Sequence, residues 1–143
     1  MSKLNLDLLC ARYGHKIAAE VYNIIGKKAE NHITKSLGVL QENGVYAFFL
    51  YQVSRGKQEK EGAEKLKEIS ARLLGEVLKP YFVLITDPLE AIRSNDKQKG
   101  LADDLDDLLL AKRLLEQALI YARYHVKAMK SEQKSGPEEG KPE

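Results

Sequence analysis

Apolar residues recur at steps of three and four along most of the chain, the spacing that aligns one face of an α-helix. From Leu6 to Lys28 the stripe is Leu6, Leu9, Cys10, Tyr13, Ile17, Val21, Ile24 and Ile25, with Arg12, Lys16, Glu20, Asn23 and Lys27 opposite it. Asn5 is placed to cap this helix, and Asp7 puts negative charge in the first turn, where the dipole favours it. Gly26 weakens the last turn. A second helix is predicted from Asn31 to Arg55 on the stripe Ile33, Leu37, Leu40, Gly44, Ala47, Phe48 and Tyr51. Between Val45 and Val53 nearly every residue is apolar or aromatic, the pattern of a central helix buried on all sides. Asn43-Gly44 is a hairpin signal between alternating strands, but its flanks here keep the helical period. Gly44 therefore reads as an internal glycine, costing about 1 kcal/mol against alanine and open to close approach by another helix. Gly56 supplies the stop.

Gln58 to Lys79 forms a third helix, with Leu66, Ile69, Leu73, Val77 and Leu78 inward and Pro80 ending it. The run from Tyr81 to Ile85 has strand chemistry but no partner strand, so it reads as a connection or one more helical turn. Asp87-Pro88-Leu89-Glu90 has the N-cap, first-position proline and capping-box glutamate of a helix start. A short helix to Ser94 and a polar loop from Asn95 to Gly100 follow. The last helix is carried by Leu101, Leu105, Leu108, Lys112, Leu115, Leu119, Ala122, Val126 and Met129, a heptad-like seam broken only at Lys112. Asp103, Asp104, Asp106 and Asp107 stand at its start, and Lys127 and Lys130 at its end, both favourable to the dipole. The expected fold is all-α, a compact bundle of about five helices over residues 1–130. Residues 131–143, rich in Gly, Pro, Glu and Lys, are expected to form a disordered tail.

A chain of 143 residues holds one such core. Its net charge is +2, and the tail contributes two lysines and four glutamates, so the bundle is the more basic part. That balance suits an anionic partner without announcing nucleic-acid binding by charge alone. No stretch approaches the roughly 20 apolar residues of a membrane span, and the first residues lack the apolar centre of a secretory signal. Cys10 is the single cysteine, unable to form an intrachain disulfide, and on the apolar stripe it reads as a buried, inert thiol. A cytoplasmic protein is the expectation.

Candidate chemistry is sparse. The aspartates follow one another on a single helix, so their oxygens diverge instead of converging on a cation, and no metal is expected. His15, His32 and His125 fall on different helices or their edges, none with a His or Cys at ligand spacing. No nucleophile elbow and no phosphate-cradling glycine loop are present. No catalytic residue, cofactor or small-molecule substrate is expected, and the chain reads as a binding protein, not an enzyme.

The cations are the more suggestive set. Arg12, Lys16, Lys27, Lys28 and Lys35 fall on the first helix and the link to the second, and Lys112, Arg113, Arg123, Lys127 and Lys130 on the last. If the first and last helices are neighbours, these merge into one basic strip that binds backbone phosphate without reading sequence. Tyr121 and Tyr124 offer aromatic faces beside Arg123 and Lys127. The candidates for nucleic-acid contact are Arg12, Lys16, Lys112, Arg123 and Lys127.

Three stretches carry a family likeness. Leu6 to Val21 ends in Ala18-Ala19-Glu20-Val21; Leu37 to Leu50 contains Leu40-Gln41-Glu42-Asn43-Gly44-Val45 before an apolar run; Leu105 to Lys130 has Ala118-Leu119-Ile120-Tyr121 before Arg123 and Lys127. In these stretches and in the order of its elements the chain resembles the small helical subunit, the fifth protein, of the Cmr (type III-B) CRISPR effector complex. The small subunits of related type III (Csm) and type I complexes are helical bundles of similar size. The resemblance implies a non-catalytic subunit of antiviral defence. Copies of it would stack along the filament beside other effector subunits and help hold crRNA and target RNA by their backbones. A different class of function competes with this one: a helical adaptor or homodimer without nucleic acid, using the Leu101 to Met129 seam for a partner helix. Under the first reading Arg12, Lys16, Arg123 and Lys127 share one exposed face; under the second they scatter.

Overall fold

The computed structural model describes residues 5–78, 87–93 and 100–139, with side chains as far as Glu132 on the last helix. These residues form six α-helices and no strand: α1 (Leu6–Ile25), α2 (Lys28–Asn43), α3 (Val45–Ser54), α4 (Lys60–Val77), α5 (Pro88–Ile92) and α6 (Leu105–Glu139). Short 3-10 turns at Lys57–Glu59 and Leu101–Asp103 lead into α4 and α6. The protein is an all-α bundle. The expectations for Pro80, for Tyr81 to Ile85 and for the loop from Asn95 lie outside the described residues.

The predicted caps act locally. Asn5 Oδ1 accepts the Leu8 amide at 3.0 Å, and Asp87 Oδ1 accepts that of Leu89, also at 3.0 Å. Asp103 and Asp104 accept the amides of Gly100 and Asp107 at 2.9 and 3.1 Å, so two of the clustered aspartates satisfy backbone donors at the entry to α6. At the far end α6 runs to Glu139.

Gly44 corrects the expected single helix from Asn31 to Arg55. Its φ of 96° and ψ of −175° are a combination that side-chain-bearing residues essentially never adopt. It closes α2, its amide donating to Leu40 O at 2.9 Å, and opens α3, its carbonyl accepting from the Phe48 amide at 3.0 Å. No atom lies within 4 Å of where its Cβ would be, so the glycine serves a bend and not a helix contact. Gly44→Ala is therefore expected to lower stability by about 1–3 kcal/mol in urea unfolding. A glycine inside a continuous helix would gain about 1 kcal/mol from the same change, so a rise in the midpoint would contradict the break.

The helix pairs run in directions that their contacts define. α1 and α6 are parallel: Cys10 meets Leu114, Gly14 meets Ala118 and Ala122, and His15 meets His125. α4 is antiparallel to α1, through Tyr13 with Glu76, Glu20 with Lys65 and Ile25 with Gly62. α2 is antiparallel to α6, through Glu30 with Lys130 and Gln41 with Lys112. α3 folds back along α2, so that Gln52 reaches both His32 and Ser36.

The core is built from Ile17, Ile33, Leu40, Phe48, Phe49, Leu66, Ile69, Leu73, Leu115 and Leu119, all fully buried. Two expected faces differ. α3 is not buried on all sides, since Leu50 and Val53 are about half exposed. The bend at Gly44 makes it a short edge helix with one apolar face outward. The α6 seam is wider than a heptad because α1 and α2 cover it from both flanks, burying Ala111, Leu114 and Ala118 as well. Leu105, at the start of that seam, is exposed. From Leu115 to Val126 the seam is covered inside the chain, and its Leu105 end is open.

Candidate functional site

The five predicted contact residues fall on two separate surfaces. On α1, Lys16 pairs with Glu20 at 3.9 Å, and Glu20 is shared with Lys65 of α4 at 3.6 Å. Arg12, four residues before Lys16 on the same helical row, is exposed. These two residues face solvent on the α4 side of α1. The side of α1 that meets α6 carries Asp7, Cys10, Gly14 and His15 instead.

On α6 the cations lie on the opposite flank, against α2. Lys112 Nζ donates to Gln41 O at 3.2 Å. Lys130 Nζ donates to Glu30 Oε1 at 2.8 Å, and Lys127 Nζ lies 3.8 Å from Glu30 Oε2. Arg123 adds to the positive field on Glu30. From Lys112 to Arg123 to Lys127 to Lys130 the steps are eleven, four and three residues, each returning to one side of a helix. Lys112, Arg123 and Lys127 are thus brought together, and Lys130 joins them. Arg12 and Lys16 are not. The first and last helices are neighbours, as the merged strip required, but they meet through small residues and turn their cations outward in different directions.

Glu30 is the residue that the sequence did not single out. Its partners lie 97 and 100 positions away, beyond any local pattern. The hydrogen bond from Lys130 holds its carboxyl below the ordinary range; burial opposes it, and the charges of Lys130, Lys127 and Arg123 add to the lowering. Tyr124, one turn before Lys127 on α6, is 67% exposed. Tyr121 is engaged elsewhere, its hydroxyl donating to Asp7 Oδ1 at 2.7 Å.

The remaining reactive groups are held in quiet settings. Cys10 is buried, and its Sγ lies 3.5 Å from Leu114 O. Burial, with the nearby Asp7 charge, pushes its thiol up to about 11, so it stays protonated at neutral pH. His15 and His125 meet edge to face, ring centres 5.1 Å apart. Among the described residues no three His, Cys, Asp or Glu side chains cluster as metal ligands, and no helix is long and apolar enough to cross a membrane. A groove of about 240 Å³ lies between the starts of α1 and α6, with Leu6, Cys10, Leu110 and Leu114 in its walls.

No family model, no curated protein and no solved structure matches the chain.

Proposed function

We propose that the chain is a non-catalytic small subunit of an RNA-guided effector of the type III-B (Cmr) kind, acting in the cytoplasm. It contributes scaffold surface and a phosphate-binding seam, and it carries no reaction of its own. The sequence resemblance suggests the assembly. The observation that supports the seam is the alignment of Lys112, Arg123, Lys127 and Lys130 on the α2 flank of α6, with exposed Tyr124 beside them. Flexible cations in a row with an exposed ring suit single-stranded RNA, whose phosphates they neutralise and whose bases stack. They do not suit base-specific readout, which needs fixed donors aimed at base edges. The exposed Leu8, Leu50, Val53, Leu105 and Leu109 are the surfaces such a subunit offers to copies of itself and to other subunits.

A second reading, an adaptor or homodimer without nucleic acid, draws support from the separation of Arg12 and Lys16 from the α6 cations. Its partner surface would be the exposed leucines, Leu105 at the start of the seam among them, since the seam from Leu115 to Val126 is covered from within.

Binding to a labelled single-stranded RNA of about 40 nucleotides, measured across a salt series, separates the two. With three phosphates neutralised, the logarithmic salt slope for a single strand is about −2. The double variant Arg123→Glu/Lys127→Glu should bind roughly ten- to a hundredfold more weakly at low salt, with a flatter slope. Binding indifferent to both salt and charge reversal would favour the adaptor.

A further inference from the structure

Glu30 occupies the place on this surface where an anion would sit. Three cations of α6 converge on it from one flank: Lys130 in a 2.8 Å hydrogen bond, Lys127 at 3.8 Å, and Arg123 through its field. The carboxylate keeps a quarter of its side-chain surface exposed, and Lys127 and Lys130 keep 47% and 38%. The cluster is therefore open to a competing anion. Partly exposed ion pairs contribute little net stability because water screens them and long side chains lose freedom in making them. Exchanging one oxyanion for another there costs the fold little.

We infer that Glu30 is a built-in counter-anion of the α2–α6 seam, and that an RNA phosphodiester binds to Lys127 and Lys130 by displacing it. This rests on the phosphate-binding reading of the seam and adds its regulation. The carboxylate offers the lysines two oxygens, as a phosphodiester does with its two unesterified ones. While Glu30 is in place the lysines stay ordered and partly neutralised. Phosphate binding then has to release an internal anion as well as counterions from the RNA, which weakens the complex and keeps it exchangeable. Arg123 and Tyr124 lie one turn earlier on α6, where the neighbouring nucleotide meets only the weaker, longer-range field of Glu30.

The test is Glu30→Gln, which keeps the shape of the side chain and removes its charge, measured on the full chain with the same single-stranded RNA of about 40 nucleotides. At about 50 mM salt the variant should bind roughly three- to tenfold more tightly than the parent, with a similar salt slope, because both neutralise the same phosphates. Its melting midpoint should stay within about 3 °C of the parent's, as befits the loss of partly exposed pairs. Adding Arg123→Glu/Lys127→Glu should abolish the gain. If the parent binds RNA and Glu30→Gln binds no more tightly, displacement of Glu30 is wrong while the seam stands. If neither protein binds RNA at low salt, the phosphate-binding reading fails and the inference falls with it.

Discussion

Replacing Gly14 by alanine is expected to cost about 2–3 kcal/mol and to lower the melting midpoint by roughly 6–12 °C. A Cβ at this position would lie 2.6 Å from Tyr121 Cβ, 2.7 Å from the Ala118 carbonyl oxygen and 3.1 Å from the Ala122 amide nitrogen. Backbone atoms cannot swing aside as the end of a long side chain does, so α1 and α6 must part. Parting them loosens the buried contacts of Ile17, Ala18, Ala118 and Ala122, in a core where small gaps already forfeit dispersion energy. Gly38→Ala is the matched control. Gly38 lies inside α2 with nothing within 4 Å of its missing Cβ, and alanine there should gain about 1 kcal/mol in helix propensity. The same chemical change thus takes opposite signs at two positions. Thermal unfolding of both variants checks it, and a gain at Gly14 would mean that α1 and α6 do not meet there.

Gln52→Ala is expected to cost about 3–4 kcal/mol, because it strands two buried groups at once and leaves a cavity. Gln52 Oε1 lies 2.8 Å from His32 Nε2, and its Nε2 donates to Ser36 Oγ at 2.8 Å, all three residues being buried. An accepting Oε1 puts the His32 proton on Nε2. The bare Nδ1 then has no hydrogen-bond partner and lies 4.0 Å from Glu59 Oε1. Burial pushes the pKa of His32 below the ordinary imidazole range, with the Gln52 hydrogen bond and the Glu59 charge opposing. The folded value being below the unfolded one, the fold binds this proton less readily than the unfolded chain does. Its contribution to stability is present above the unfolded pKa and is lost as pH falls from there through the folded value. His125, lowered by burial and by His15, acts in the same direction. Urea unfolding of the parent at about pH 7.5 and about pH 5.5 should show lower stability in acid. Equal stability at both would mean that the imidazole of His32 is not held neutral in the core.

How far the fold was legible depends on whether a feature is local. α1, with its Asn5 cap, and α5, with Asp87 and Pro88, follow from residues within one turn of each other, and both are in place. The bend at Gly44 does not announce itself in the same way. The apolar period runs through Asn43-Gly44 with the helical step intact on both sides, and a single residue's φ redirects the chain without disturbing that count. The exposure of Leu50 and Val53 follows from the bend. An all-apolar segment reads as central only if it continues a helix that the bundle surrounds, and α3 instead lies at an edge.

The candidate site divides along the same line. That Lys112, Arg123, Lys127 and Lys130 share a side of one helix is arithmetic on 3.6 residues per turn, and the sequence by itself determines it. It likewise determines an all-α fold, the caps that start α1 and α5, and a thiol at Cys10 turned inward. Only the tertiary structure decided which neighbour covers which flank. α1 meets α6 closely, through Gly14 against Ala118 and Ala122, and that contact sends Arg12 and Lys16 away from the α6 cations. α2 takes the other flank and sets Glu30 among Lys127 and Lys130 across 100 residues of chain. Periodicity specifies the direction of a side chain relative to its own helix axis. Where that axis lies among the others is set by the shape and volume of faces that meet only after the chain has folded.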